Sequence, residues 1–401
     1  MSRQGLRSDN QDSLGMFDRY NIFAVADGMG GLKNGDRASR TAIEAVERQA
    51  ATLARMAELS ARSGSAADRR ALFGGLEELY QRVGGTVYSI AEEEGERMGT
   101  TMSMVVIADN HLTIGHVGDT RVYLVRGRKV ELLTSDHSVA ALRYRRGTLS
   151  LEDYYTSPLR NVLYEFLGHD PEVSVDVVEA DLQDGDRLIL CSDGVWDYLG
   201  NDRLISISSM EDPAEAAAAF VDEALSLGSD DNCTCAVVQV VGTTAGVRLF
   251  PARALAESNL FHGMSRSDLR LIAPFVSVRS YGPGERIIQE GDVGEELFVV
   301  AQGEVEVRRK GITLVKLPAR SHFGELALTC DTPRSASVYA VGHADMVVLD
   351  RSGLNLLAEK RPDLANRVLM RILDWVGERL IEMTERAVKA ENHIKLLRNG
   401  Q

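Results

Sequence analysis

Asn21-Ile-Phe-Ala-Val-Ala-Asp27-Gly28-Met29-Gly30-Gly31 runs an apolar strand straight into an aspartate and then into glycines. Two other segments repeat the theme. Arg187-Leu-Ile-Leu-Cys-Ser-Asp193-Gly194 ends on an acid, and Asp230-Asp231-Asn232 opens the apolar run Cys233–Val241. Carboxylates at the ends of core strands sit close together in a folded sheet sandwich. Like charges so placed repel, so one protonates or a cation bridges them. Oxygen-only donors without an accompanying His or Cys point to a hard ion, Mg2+ or Mn2+. Glycine after the acid lets a backbone carbonyl approach the same ion, and Gly28 follows Asp27. A phosphate-cradling loop is the weaker reading, because the spacing is neither that of a P-loop nor the dinucleotide fingerprint.

A chain of 401 residues is too long for one ordinary core, and about two or three domains are expected. Its 44% hydrophobic and 26% charged residues are ordinary for a soluble globular protein. No apolar run approaches the roughly 20 residues of a membrane span. Met1-Ser-Arg-Gln-Gly lacks the apolar core of a secretory signal, so the expected location is cytoplasmic. Cys191, Cys233, Cys235 and Cys330 are scattered. Cys233 and Cys235 share one strand face, which suits buried thiols in a reducing compartment better than a zinc knuckle. A net charge of −14 argues against nucleic acid as a partner.

Up to Val241 the chain alternates strand-like runs (Asn21–Ala26, Thr100–Ala108, His111–His116, Arg121–Val125, Arg187–Cys191, Cys233–Val241) with helical stretches at Asp36–Leu59 and Ala66–Glu94. The pattern predicts an α+β fold, a β-sandwich flanked by helices over residues 1–241. Irregular sequence over 139–168 reads as an inserted flap. The first residues fall inside what the pattern makes the first strand. Residues 242–260, opened by Val241-Gly-Thr-Thr-Ala-Gly246, read as a linker carrying a helical piece at Ala252–Asn259. Residues 261–401 form the second domain. Glycine-marked turns between short strands from about Phe275 to Leu349 predict a β-roll, and a long helix follows from Pro362. Leu369, Leu373, Val376, Leu380, Met383, Ala387, Ala390, Ile394 and Leu397 alternate steps of four and three along it. That seam predicts a homodimer through a coiled coil, with an amphipathic helix packed on its own domain as the alternative.

Ordered motifs then carry a resemblance. Arg7-Ser-Asp-Asn-Gln-Asp12-Ser, Val25-Ala-Asp27-Gly28-Met-Gly-Gly, Gly99-Thr-Thr-Met, Gly115-His-Val-Gly118-Asp119-Thr-Arg121, Ser135-Asp-His-Ser138, Arg160-Asn161-Val-Leu, Ser192-Asp193-Gly194-Val-Trp196-Asp197 and Asp231-Asn232-Cys-Thr follow one another. Together they resemble the metal-dependent protein phosphatases of type 2C, which hydrolyse phosphoserine and phosphothreonine. The resemblance makes Asp27 the carboxylate bridging two metals, with the Gly28 carbonyl on one of them and Asp193 and Asp231 on the other. Asp12 becomes the outer acid that orients water, and Arg7 the fork that grips the substrate phosphate. Asp119, with Asp193 and Asp197, matches a third metal position of the bacterial branch. Two hard cations acidify water near neutral pH, so no covalent enzyme intermediate is needed. The chain departs from the pattern at Gln11, where many relatives have glutamate. It departs again at Met29, where some have a histidine general acid.

Pro283-Gly-Glu-Arg-Ile-Ile-Gln-Glu-Gly291-Asp292, Glu296-Leu-Phe-Val-Val-Ala-Gln-Gly303-Glu-Val, Phe323-Gly324-Glu325-Leu-Ala327-Leu and Pro333-Arg334-Ser335-Ala336-Ser337 resemble a cyclic-nucleotide-binding domain. By that resemblance Glu325 takes the ribose 2′-hydroxyl and Arg334 the cyclic phosphate. Gly324, Ala327 and Ser335 add hydrogen bonds, and Trp375 on the terminal helix reads as a core residue, with a cap over the base as the alternative. Ser335 does not separate cAMP from cGMP. The expected protein is a cytoplasmic phosphatase acting on phosphorylated proteins and controlled by a cyclic nucleotide. The alternative is a nucleotide-binding scaffold whose catalytically weak phosphatase-like half binds phosphoproteins. With one long helix after the roll, no DNA reader is expected.

Overall fold

The structure, a computed structural model, describes residues 1–30, 34–242, 251–329 and 333–399, with the backbone alone for residues 382 and 385–399. Cys330 lies outside that set. The chain divides into two compact units, Met1–Arg248 and Leu249–Gln401.

The first unit opens with strands β1 (Ser2–Arg3), β2 (Asp12–Phe17) and β3 (Ile22–Gly30), then helices α1 (Asn34–Ser63) and α2 (Ala66–Glu94). Strands β4 (Met98–Thr100), β5 (Met102–Ala108), β6 (His111–Val117), β7 (Arg121–Arg126) and β8 (Lys129–Leu132) follow. Short helices α3 (Val139–Arg145) and α4 (Leu151–Thr156) lead to β9 (Asp176–Asp181) and β10 (Arg187–Cys191). Helices α5 (Asp193–Trp196), α6 (Asn201–Ser208) and α7 (Pro213–Ser226) precede β11 (Cys233–Gln239). One sheet runs β2-β3-β5-β6-β9 with β4 beside β3, and the other β1-β11-β10-β7-β8.

The sheets meet where β3 crosses β10 and β11. On β3, Ile22, Ala24 and Ala26 turn outward onto α1 and α2, against Ala42, Val46, Leu76 and Tyr80. Phe23 and Val25 take the opposite face by strand alternation and are buried too. Beneath the other sheet, Ile189, Cys191 and Cys235 pack on Phe220 and Val221 of α7. Double-sided burial is why these strands read as unbroken apolar runs. The Ser/Gly break before α2 is a cap, with the Ser65 hydroxyl accepting from the Ala67 and Asp68 amides.

Several predicted bounds shift. Instead of ending at Asp27, β3 continues to Gly30, because Gly28–Gly30 pair with Met98–Thr100. The single strand expected over Thr100–Ala108 is two, broken at Thr101, whose N–H bonds the Asp27 carbonyl at 2.8 Å. Strands β2, β8 and β9 were not foreseen, since Asp12, Lys129, Glu131, Asp176 and Glu179 interrupt their apolar alternation. The segment read as irregular contains α3 and α4, each with a serine at its N-cap (Ser138, Ser150).

The second unit contains α8 (Pro251–Glu257), α9 (Arg266–Ile272), β12 (Ser277–Tyr281), β13 (Arg286–Ile288), β14 (Glu296–Gln302), β15 (Glu304–Arg309) and β16 (Ile312–Pro318). These are followed by β17 (His322–Phe323), α10 (Leu326–Thr329), β18 (Ser337–Ala340), β19 (Ala344–Asp350), α11 (Arg351–Lys360) and α12 (Pro362–Asn399). Two antiparallel sheets, β12-β19-β14-β17 and β13-β18-β15-β16, make a roll around Phe298, Val300, Val305, Phe323, Met346 and Val348. Helix α8 buries Pro251, Ala254 and Leu255 and packs on α9, β14 and β19. Residues 251–257 therefore belong to this unit rather than to a free linker reaching 260.

Helix α12 corrects the seam at its start. Its first turns bury Leu364, Ala365, Val368 and Ile372, one position out of step with Leu369 and Leu373, where the helix meets α11. Leu373, Leu380 and Met383 are 56%, 65% and 62% exposed. The side chains of Ala387, Ala390, Ile394 and Leu397 lie outside the described residues. Among the described residues, no helix is long and apolar enough to cross a membrane.

Candidate active site and nucleotide pocket

Strand pairing sets Asp12 of β2 directly opposite Asp27 of β3. Ser192, the N-cap of α5, donates its hydroxyl to Asp12 Oδ2 at 2.8 Å and accepts the Thr234 amide at 3.0 Å. The same cap starts α5 at Asp193. Asp119 follows β6, and Asp231 immediately precedes the turn into β11. Arg7, Asp27, Gly28, Asp119, Asp193 and Asp231 line one cavity of about 500 Å³. Asp12 lies beneath its wall, 8% exposed. Two glycines make the crowding possible. A Cβ on Gly28 would stand 2.0 Å from the Gly35 carbonyl oxygen, and one on Gly194 2.2 Å from that of Asn232.

Burial and mutual repulsion push these acids up. Asp12 rises to about 7, through burial first and then through Asp193 and Asp231 against the relief of Thr234 and Ser192. Asp193 rises to about 6 through burial, Asp231 and Asp197. Asp27 and Asp119 are raised well above the ordinary carboxylate range, again by burial first and then by neighbouring acids. Asp12 Oδ1 is buried without a hydrogen-bond partner. Such an all-oxygen set, short of positive charge, fits hard divalent cations. Among the described residues no three potential ligands converge into a shell as they stand. Arg7 occupies both Asp231 oxygens, Nε to Oδ1 at 3.0 Å and Nη2 to Oδ2 at 2.6 Å.

Sequence reading missed the network behind the cavity. Arg121 donates to both Asp136 oxygens at 3.0 and 2.7 Å and to the hydroxyls of Tyr123 and Tyr154. Its guanidinium lies 3.4 Å from the ring centre of Trp196, whose indole N–H donates to the Asp119 carbonyl at 3.0 Å. Tyr154 of α4 also donates to Asp136, and Arg160 pairs with Asp197 at 2.6 Å. The 139–168 segment is thus bolted to β7, which follows Asp119, and to the end of α5, which begins at Asp193. His137 Nδ1 accepts from Gly118 N–H, so Nε2 carries the proton donated to Asp176. Gly118, at φ +103°, is held just before Asp119.

In the second unit Arg334 is 7% exposed. Its Nη1 donates to the Glu296 carbonyl at 2.9 Å and its Nη2 to the Glu296 carboxylate at 3.2 Å, while Nε has no partner. Gly294 and Gly324 make room for it, since a Cβ on either would stand 2.3 or 2.7 Å from the guanidinium. Gly324 also adopts φ +85°. Glu325 and Ala327 are buried beside this turn, whereas Ser335 is exposed. Burial raises Glu325, against the pull of Arg379 and Arg334. Trp375 meets the His322 ring edge-on at 4.4 Å, and His322 is buried with neither nitrogen partnered.

These arrangements agree with what the chain is similar to. Residues 2–239 match the family model for protein phosphatase 2C. The chain belongs to the protein phosphatase 2C family. Residues 278–361 match the model of the cyclic nucleotide-binding domain. The serine/threonine phosphatase stp of Listeria monocytogenes is 32% identical over 246 residues, 59% of this chain and 92% of that one. The crystal structure of the serine/threonine phosphatase PstP/Ppp of Mycobacterium tuberculosis is 28% identical, with a TM-score of 0.52, over 60% of this chain and 97% of that one. The catalytic domain of PstP in complex with two manganese ions is 28% identical, with a TM-score of 0.50, over 60% and 96%.

The phosphatase 2C unit is therefore a serine/threonine phosphoprotein phosphatase joined to a cyclic nucleotide-binding domain. Within it, Arg7, Asp27, Gly28, Asp119, Asp193 and Asp231 share the cavity, and Asp12 stands behind it. Asp197 turns instead to Arg160. Gly324, Glu325, Ala327 and Arg334 cluster in the second unit, and Ser335 lies at its surface.

Proposed function

We propose that this chain is a two-metal phosphatase for phosphoserine and phosphothreonine in proteins, controlled by a cyclic nucleotide. The observation that carries the catalytic half is the cavity lined by Arg7 and five acids, Asp9 among them, with too little positive charge to balance them. Asp27, the Gly28 carbonyl, Asp193 and Asp231 would hold two Mn2+ or Mg2+ ions, and Asp119 a third. Bound there, the ions supply charge neutralisation and an acidified water at neutral pH. Arg7, more than half exposed, is free to leave Asp231 and take two phosphate oxygens with the same fork. Asp12, fixed through Oδ2 by Ser192, keeps Oδ1 for ordering water. Met29 has no proton to give, so the departing serine or threonine oxygen takes one from water or from another residue.

In the second unit Glu325 would receive the ribose hydroxyl and Arg334 the cyclic phosphate. The phosphate replaces the Glu296 carboxylate on a guanidinium whose Nε is already unsatisfied. Gly324, Ala327 and Ser335 would add hydrogen bonds, and Trp375, packed on the His322 ring, is the candidate cap over the base. Arg334→Ala should remove nucleotide binding measured by calorimetry while wild type retains it. Control of catalysis requires different nucleotide affinities in two states. The deciding comparison is phosphopeptide turnover with and without cAMP or cGMP; equal rates despite measured binding would remove the control.

The exposed Leu373, Leu380 and Met383 support pairing of α12 with a second copy of the chain. Buried, unbridged Cys191, Cys233 and Cys235 suit a cytoplasmic setting.

A further inference from the structure

Asn232 directs its whole side-chain amide at one short segment. Its Oδ1 accepts from the Gln11 amide at 2.8 Å, and its Nδ2 donates to the carbonyls of Gln4 and Asp9 at 2.8 and 2.9 Å. Asn232 is 5% exposed, so these bonds are shielded from water. The segment they hold joins β1 to β2 and carries Arg7 between the two tethered carbonyls. Gln4 reinforces it by donating to the carbonyls of Arg7 and Ser8, both at 2.7 Å.

Further bonds fix its end at Asn10 and Gln11, but residues 4 to 9 have little else to hold them. Leu6 is 81% exposed, and residues 4 to 9 belong to no strand. Ordering each such residue costs about 1–2 kcal/mol of backbone entropy. Arg7 reaches the cavity only if that cost is met before substrate arrives. Both parts of the arrangement come from one dipeptide, with Asp231 receiving the Arg7 guanidinium and Asn232 the backbone carbonyls of Gln4 and Asp9 on either side of Arg7. Aspartate could not replace Asn232, because a carboxylate has no hydrogen for the Gln4 and Asp9 oxygens.

We infer that Asn232 is a positioning residue for phosphate recognition, acting through Arg7 by holding the 4–11 segment on both sides of it. This rests on the reading of Arg7 as the phosphate fork. The test uses the full chain with Mn2+ and a phosphopeptide, and inorganic phosphate as a competitive inhibitor. Asn232→Ala and Asn232→Asp should each raise KM and the phosphate inhibition constant about tenfold, from the loss of two or three buried hydrogen bonds. The Mn2+ concentration for half-maximal rate should not move. In an Arg7→Ala background the same changes should alter KM less than about twofold, since the residue they act through is gone. Additive effects, a fall in kcat at constant KM, or a shift in Mn2+ half-saturation would overturn the inference. An Arg7→Ala chain with unchanged KM would instead overturn the reading of Arg7. Should Asn232→Ala fail to fold, Gln4→Ala probes the same strap from an exposed position; a rise of about threefold in KM that vanishes with Arg7→Ala is expected, and no rise counts against the inference.

Discussion

Arg7 and Asp231, 224 residues apart in the chain, form a two-point ion pair at the mouth of the acidic cavity. The bond to Asp231 raises the already high pKa of Arg7, so the fork is permanently charged. Its exposure keeps the pair weak, because solvent screens surface ion pairs to about 1 kcal/mol or less. A dianionic phosphate flanked by cations competes easily for such an arginine.

Arg7→Ala should therefore lower kcat/KM for a phosphopeptide by about 10–100-fold, the worth of one or two charge-assisted hydrogen bonds. Arg7→Lys should recover little of it, since an ammonium cannot present the planar fork. Initial rates over a range of substrate concentration decide this; a lysine variant equal to wild type would contradict the forked geometry.

Asp193→Ala removes the acid that stands between Asp27, Asp231 and Asp197. Turnover should fall by about a thousandfold or more in saturating Mn2+, as expected when charge stabilisation at the reacting centre is lost. A chelator should silence wild type, and added Mn2+ should restore it. Chelator-resistant hydrolysis by purified protein would contradict a metal requirement.

The Arg121–Asp136 pair is a structural risk of another kind. Both side chains are nearly inaccessible, at 6% and 1% exposure. Asp136→Ala leaves Arg121 charged in the interior and should destabilise the phosphatase unit by about 3–5 kcal/mol in urea unfolding. Burial alone would raise Asp136, but the Arg121 guanidinium outweighs it and the net direction is down. A depressed carboxylate contributes stability above its ordinary range and loses it as pH falls through the folded value. Wild-type stability should thus drop on acidification below the ordinary aspartate range, and the variant should show a shallower drop.

His322 is lowered too, but there the folded state favours the neutral form. Burial first, then Arg379, lowers it to about 4 from the usual 6.5, so the folded unit holds it neutral. Between those values the unfolded chain binds more protons, and stability is lost as pH falls from about 6.5 to about 4. Thermal unfolding of the second unit, followed across that interval, should show the loss. His322→Phe should flatten it while keeping contact with Trp375; an unchanged pH profile would exclude His322 as its source.

Much of the architecture was legible because two-sided burial writes itself into strands. Ile22–Ala26 and Arg187–Cys191 are apolar at every step, and the acids interrupting that pattern at Asp27, Asp193 and Asp231 announced themselves by contrast. Strand β2 was not legible. It begins with Asp12, and its apolar residues are too few to separate it from a loop. The network of Arg121, Asp136, Tyr154 and Trp196 was also unreadable, because each residue alone is an ordinary charged or aromatic side chain. Their contacts join β7, the loop after β8, α4 and α5.

By itself, the sequence determined the two kinds of unit, the oxygen-rich chemistry of the first and the Glu325–Arg334 turn of the second. Local alternation and residue chemistry carry those features. Only the tertiary structure decided that Arg7 rests on Asp231, that Arg334 rests on Glu296, and that α12 buries Val368 and Ile372 rather than Leu373. Those outcomes depend on which groups meet through space. A periodic pattern shows that a stripe exists, but the neighbours across it settle which stripe is covered.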